Sequence, residues 1–132
     1  VITAVLAHEM GHVRHRHGLR MLVQVTVLGG LASVVLGDFS TLLAGVPVLL
    51  GQASYSREAE QEADADAVRV LKAAGISPAV IVTLFEKLEE KRRKSDKRGD
   101  ATAGQASWVG IAFASHPSDA DRVHFFKEAA GH

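Results

Sequence analysis

A mainly α fold with little or no β structure is what this sequence predicts, built on one histidine-bearing helix and a second, glutamate-bearing one. Three observations carry that expectation. His8-Glu9-Met10-Gly11-His12 is an HExxH pattern inside a stretch, Val1 to Val13, that is otherwise apolar or small apart from Thr3. Tyr55 to Val68 is an acidic run whose charged residues sort by helical face. Gly75, the Ser77-Pro78 pair and Ser118 punctuate the chain as helix stops and starts do.

One domain is expected from 132 residues, enough for a real though modest core. Lys+Arg and Asp+Glu balance at 15 each, which removes the global field that would argue for nucleic acid. Cysteine is absent, so disulfides and thiolate metal sites are excluded, and histidine and carboxylate are the only plausible ligands. Of the seven histidines, His8, His12, His15 and His17 fall within ten residues. The chain opens inside what reads as a helix, with no basic start and no cleavage site. No targeting signal is therefore expected, and the sequence reads as cut from something longer.

The first helix is expected from Ile2 to about Gly18. In it His8 and His12 lie on one face, one turn apart and within about 6 Å of each other. That spacing suits two ligands of one Zn²⁺. Glu9, about 100° round the helix, reaches a water at the metal without taking a ligand position. Burying two histidines and a glutamate on an apolar helix is costly with nothing to bind. His15 lies roughly two turns beyond His8, and His17 points elsewhere, so both are expected in a solvated basic cluster with Arg14, Arg16 and Arg20. The extended pattern HExxHxxGxxH needs glycine at position 15 and histidine at 18; here they are His15 and Gly18, which excludes that branch.

Met21 to Gly37 and Thr41 to Ala53 are two apolar runs separated by Asp38-Phe39-Ser40. The first reaches the lower limit for spanning a bilayer; the second is shorter and interrupted by Pro47. A hydrophobic helical hairpin over Met21–Ala53 is expected, packed on the domain, lying in a membrane interface or entering the bilayer. The alternation at Val23, Val25 and Val27 leaves a strand open there. Arg14, Arg16 and Arg20, just before it, suit anionic lipid headgroups.

In the acidic run Ser56 is a natural N-cap and Glu58 suits the first turn of a helix to about Ala73, ended by Gly75. Glu60 and Asp64 share a stripe with Ala67, Val68 and Leu71. Glu58, Glu62, Asp66 and Arg69 share the opposite side, which reads as solvated. Two carboxylates on a core-facing stripe need partners. Glu60 is therefore the candidate third ligand beside His8 and His12, for one zinc per chain. Asp64, one turn on, is placed to accept the free ring N–H of a ligand histidine.

Ser77 and Pro78 restart the chain as a helix to about Arg93, with Val82, Leu84, Phe85 and Leu88 for the core and a solvent-facing charged tail. A mobile loop is expected over 94–107, and Trp108 to Ala114 is a short apolar segment, strand or helix. Ser118 caps a final helix whose first turn holds Asp119 and Asp121. His116 precedes Pro117 and is therefore presented from extended backbone. It has three open roles: fourth metal ligand, donor to an oxyanion, or structural packing near the helix start. His124 and His132 carry no signal.

In this order HEMGH, SREAEQEAD, Ile76-Ser77-Pro78 and SHPSDADRV resemble the HtpX and CAAX-prenyl-protease-like family of zinc metallopeptidases, gluzincins whose third ligand is a glutamate. The resemblance covers nearly the whole chain. It implies a zincin-like helical catalytic core with His8, His12 and Glu60 as ligands, Glu9 as the base and Asp64 as the carboxylate beside the ligands. His116 and Arg122 match the family's HP…R segment, whose histidine faces the metal cleft. The activity implied is zinc-dependent hydrolysis of peptide bonds in protein or peptide substrates, in membrane or envelope protein quality control of a bacterium. The resemblance also implies strands before the HExxH helix, one of them an edge for substrate backbone, that this chain lacks. Two rival readings are a zinc-stabilised structural or interaction module, closed by His116, and a metal-free membrane-associated helical domain.

Overall fold

A computed structural model of the chain describes residues 1–40, 44, 45, 54–97, 116 and 120–131. The fold is mainly α: helices α1 (Ile2–Arg14), α2 (His17–Leu36), α3 (Arg57–Ala73), α4 (Ala79–Lys97) and α5 (Ala120–Gly131) follow in that order. Among the described residues there is no strand.

The pairing of α1 with α3 is the most extensive among the described helices. Its seam is made of small side chains, with Ala4, Ala7, Ala63 and Ala67 all buried. Gly11 sets the closest approach. A Cβ there would fall 2.7 Å from Ala63 Cα, so any larger residue must push the helices apart. Leu71, Ile81, Val82 and Phe126 continue the core towards α4 and α5, where Phe85 meets Phe126 edge-on with ring centroids 6.2 Å apart.

The caps of α3 follow the expected chemistry. Ser56 Oγ accepts from the Ala59 N–H at 3.2 Å, satisfying one of the free donors of the first turn. At the other end Gly75 takes φ +69°. The Ile76 N–H donates to the Leu71 carbonyl at 2.8 Å and the Gly75 N–H to that of Lys72 at 3.0 Å, the paired bonds of a Schellman stop. Ser77 Oγ then accepts from the Ala79 N–H at 3.3 Å as α4 begins.

Several expectations are corrected. The first helix does not reach Gly18. It stops at Arg14, and Arg16 adopts φ +55°, ψ +37°, which starts α2 in a new direction. His17 is consequently buried at 4% exposure, not solvated, and His15 is half-buried. Asp66, expected on the solvated side of α3, is also buried, because the turn after Arg14 folds over it. Arg14 Nη1 donates to it at 3.2 Å, His15 Nε2 lies 3.1 Å away, and Arg69 pairs with it from the next turn. Leu84, Phe85 and Leu88 are partly buried, and among the described residues the largest fully buried side chain is Phe126.

The stretch Val23 to Val27 is helical, inside α2, which starts before Met21 and is almost wholly exposed. Helix α4 runs to Lys97, through the start of the segment 94–107 expected as a loop. The second apolar run 41–53 (apart from residues 44 and 45), residues 98–107, Trp108 to Ala114, Ser118 and His132 lie outside the described residues.

Candidate metal centre

Four side chains from three places in the chain converge. On α1 the His8 and His12 rings sit one turn apart with centroids 4.8 Å apart and Nε2 atoms at 3.1 Å. Glu60, in the capped first turn of α3 where the helix dipole favours a carboxylate, is 2% exposed. Its Oε1 lies 3.4 Å from His12 Nε2 and its Oε2 3.4 Å from His8 Nε2. His116 brings Nδ1 to 2.9 Å from Glu60 Oε1 and 3.3 Å from His8 Nε2. One donor atom from each of the four lies within 4.8 Å of all the others.

Behind them stands a second ring of partners. Asp64 Oδ1 accepts from the His8 Nδ1–H at 2.8 Å, which turns Nε2 towards the centre. Arg122 on α5 grips Asp64 side-on, with Nε at 2.6 Å and Nη2 at 2.8 Å from its two oxygens. The same guanidinium puts Nη1 2.7 Å from Glu60 Oε2, an ion pair that sets the Arg122 charge against the buried carboxylate. Tyr55, just before the α3 cap, stacks on His12 with centroids 4.0 Å apart.

The charges interlock. Burial opposes protonation of His8, but the hydrogen-bonded carboxylates of Asp64 and Glu60 outweigh it and push its pKa up to about 9. His12 is held below its ordinary value by burial and by the charges of His8 and His116, against the pull of Glu60. Glu60 would be raised by burial, yet hydrogen bonds from His116, His12 and His8 and the charge of Arg122 hold it far below the usual carboxylate range. Tyr55 is pushed up by burial and by the Glu9 and Glu60 carboxylates.

The donor set fits a small divalent ion. Ligands about 2.0–2.1 Å from a tetrahedral Zn²⁺ stand about 3.4 Å from one another. Five of the spacings here run from 2.9 to 3.4 Å, and one donor atom from each of the four lies within 4.8 Å of the rest. Two imidazole nitrogens and a buried carboxylate facing one another across such gaps form a donor set that suits a shared cation. Glu9 stands outside the cluster, half exposed, with Oε1 3.3 Å from His116 Nε2. Beside it opens a cavity of about 80 Å³ with apolar walls from Ala4, Val5, Ile81, Leu84, Phe85 and Leu88.

The structure thus brings together His8, Glu9, His12, Glu60 and His116, with Asp64 and Arg122 behind them. Sequence reasoning missed Tyr55, His17 and Glu62. Tyr55 had a faint signal as the aromatic next to the Ser56 cap; the other two had none, because both depend on the turn at Arg16.

A helix bearing HExxH, met by a glutamate from a second helix, is the donor arrangement of a metal-dependent peptidase. The chain belongs to peptidase family M48, whose profile matches residues 2–130. It is 32% identical over 110 residues to the beta-barrel assembly-enhancing protease of Escherichia coli strain K12, covering 73% of this chain and 22% of that one. It is 31% identical over 137 residues to the metalloprotease LoiP of the same strain, covering 96% and 48%. With the protease HtpX of Legionella pneumophila strain Corby it shares 26% over 151 residues, covering 92% and 54%. The chain therefore spans between about a fifth and about a half of the length of these curated relatives. No solved structure matches it.

Proposed function

We propose that this chain is the metal-bearing catalytic region of a zinc endopeptidase that hydrolyses protein or peptide substrates. The observation that carries the reading is the convergence of His8, His12 and Glu60 on one point with the half-exposed Glu9 carboxylate beside it. His8, His12 and Glu60 would hold the ion. When bound, Zn²⁺ supplies Lewis acidity towards a peptide carbonyl and makes water a better acid. Glu9 takes the proton from the attacking water and delivers it to the departing amine, which balances the hydrolysis. His116, its Nε2 turned towards Glu9, donates to the developing oxyanion. Arg122 and Asp64 hold the ligands in place, and the apolar cavity beside Glu9 takes a substrate side chain.

The names of the relatives, two proteases and a metalloprotease, agree with this reading. A membrane or envelope setting is supported by α2, a 20-residue helix whose most apolar 18-residue stretch has a mean hydropathy of 1.9. The test is cleavage of casein, and of a peptide with an apolar residue beside the scissile bond, by the full chain and its Glu9→Gln variant. Turnover should fall by about 10²-fold or more, the scale of a lost general base, while zinc content is unchanged. Equal cleavage by both would remove Glu9 from the mechanism, and no metal-dependent cleavage by either would favour the structural zinc module.

A further inference from the structure

His17 was expected in solvent and is buried against the back of His12. Its Nδ1 lies 2.9 Å from His12 Nδ1, and its Nε2 lies 2.9 Å from Glu62 Oε2. A carboxylate only accepts, so the proton of a neutral His17 sits on Nε2 and is donated to Glu62. His17 Nδ1 is then the bare, accepting nitrogen, and His12 Nδ1–H must donate to it. That leaves His12 Nε2 without a proton on the side that faces His8 and Glu60. Each hydrogen bond in the line fixes the direction of the next.

We propose that His17 and Glu62 are a positioning pair that holds His12 in the tautomer and orientation needed for metal binding. The inference rests on the reading of His12 as a ligand. The two histidines of α1 are thus oriented by different devices: His8 by a carboxylate directly, His12 by a carboxylate acting through a second imidazole. Arg16, in its left-handed conformation, is what turns His17 back under His12. Arg20 Nη1 at 3.6 Å and His15 Nδ1 at 3.4 Å from Glu62 Oε2 keep that carboxylate directed at the line.

The pair also decides between two metal sites. His15, His17 and Glu62 are themselves spaced to hold an ion. An ion on His17 Nε2 would drive its proton to Nδ1. His17 would then donate to His12 Nδ1, placing the His12 proton on Nε2, against the ion at the main centre. With neutral rings the two sites exclude each other, and the His15–His17–Glu62 group serves as a relay.

The test is zinc affinity of the full chain by chelator competition, with the visible spectrum of the Co²⁺ form as a second readout of ligand geometry. His17→Leu removes the acceptor and should weaken zinc binding about 10–100-fold, with a changed Co²⁺ spectrum. His17→Asn keeps an amide oxygen near the Nδ1 position and should recover most of that loss. Glu62→Ala should weaken binding in the same direction, and combined with His17→Leu should add little, since both act through one nitrogen. Wild-type affinity and spectrum in His17→Leu would overturn the proposal, as would equal losses in His17→Leu and His17→Asn or a second zinc bound through His17. If His12→Ala binds zinc as tightly as wild type, the reading of His12 as a ligand fails, and the relay with it.

Discussion

His8 has both ring nitrogens committed: one donates to Asp64, the other faces His12, His116 and Glu60. Burial lowers its pKa, but the hydrogen bonds and charges of Asp64 and Glu60 outweigh it and raise the value from 6.5 to about 9. A raised folded-state pKa gives the metal-free chain a stabilisation that is complete below 6.5 and lost as pH climbs through about 9. Zinc has to displace the His8 proton. Zinc affinity should therefore climb by about tenfold per pH unit between 7 and 9, with one proton released per ion bound. Calorimetry in buffers of different ionisation enthalpy measures that proton, and an affinity flat across this range would contradict the assignment. At this scale the convergence of His8, His12 and Glu60 was legible because two residues four apart on a helix, and a carboxylate on a core-facing stripe, leave few arrangements open. His17 and Asp66 were not legible, since their faces were read on straight helices.

The geometry of the centre is inherited from the contact between α1 and α3, and so from Gly11. Gly11→Ala inserts a methyl 2.7 Å from Ala63 Cα on a helix backbone that cannot step aside alone. The expected cost is about 1–3 kcal/mol of stability, the scale of overpacking. Zinc affinity should fall as well, because the His8–Glu60 and His12–Glu60 gaps widen. Thermal melting with and without zinc separates the two effects. An Ala variant that melts and binds like the wild type would show that the helices do not need their close approach. Helix ends were legible wherever side-chain chemistry writes them: Ser56, Gly75 and Ser77 all act as their types suggest. The break between α1 and α2 was not. It depends on a left-handed arginine, a residue type that enters that conformation only when the surrounding packing imposes it.

Across the whole molecule the apolar surface is unevenly spread. Helix α2 is about 30 Å long, enough to cross a hydrocarbon layer. Leu28, Leu31, Val34 and Val35 on it are all exposed, while Arg14, Arg16 and Arg20 stand at its start. The full chain should float with anionic phospholipid vesicles, and Leu28→Glu with Val35→Glu should release it; a wild type that stays with the soluble fraction at low salt would refute lipid contact. The mainly α architecture was legible from the face sorting of the charged residues and the helix stop and start signals, whereas the packing of α5 was not, since Phe126 lies in a segment with little pattern of its own.

The central claim is that a carboxylate from α3 completes a zinc site begun by two histidines of α1. Metal analysis of the purified full chain beside its Glu60→Ala variant tests it most directly. One zinc per chain is expected in the wild type, with affinity lower by at least about 10–100-fold in the variant. Zinc held as tightly by Glu60→Ala as by the wild type, or no zinc in the wild type at all, would contradict it.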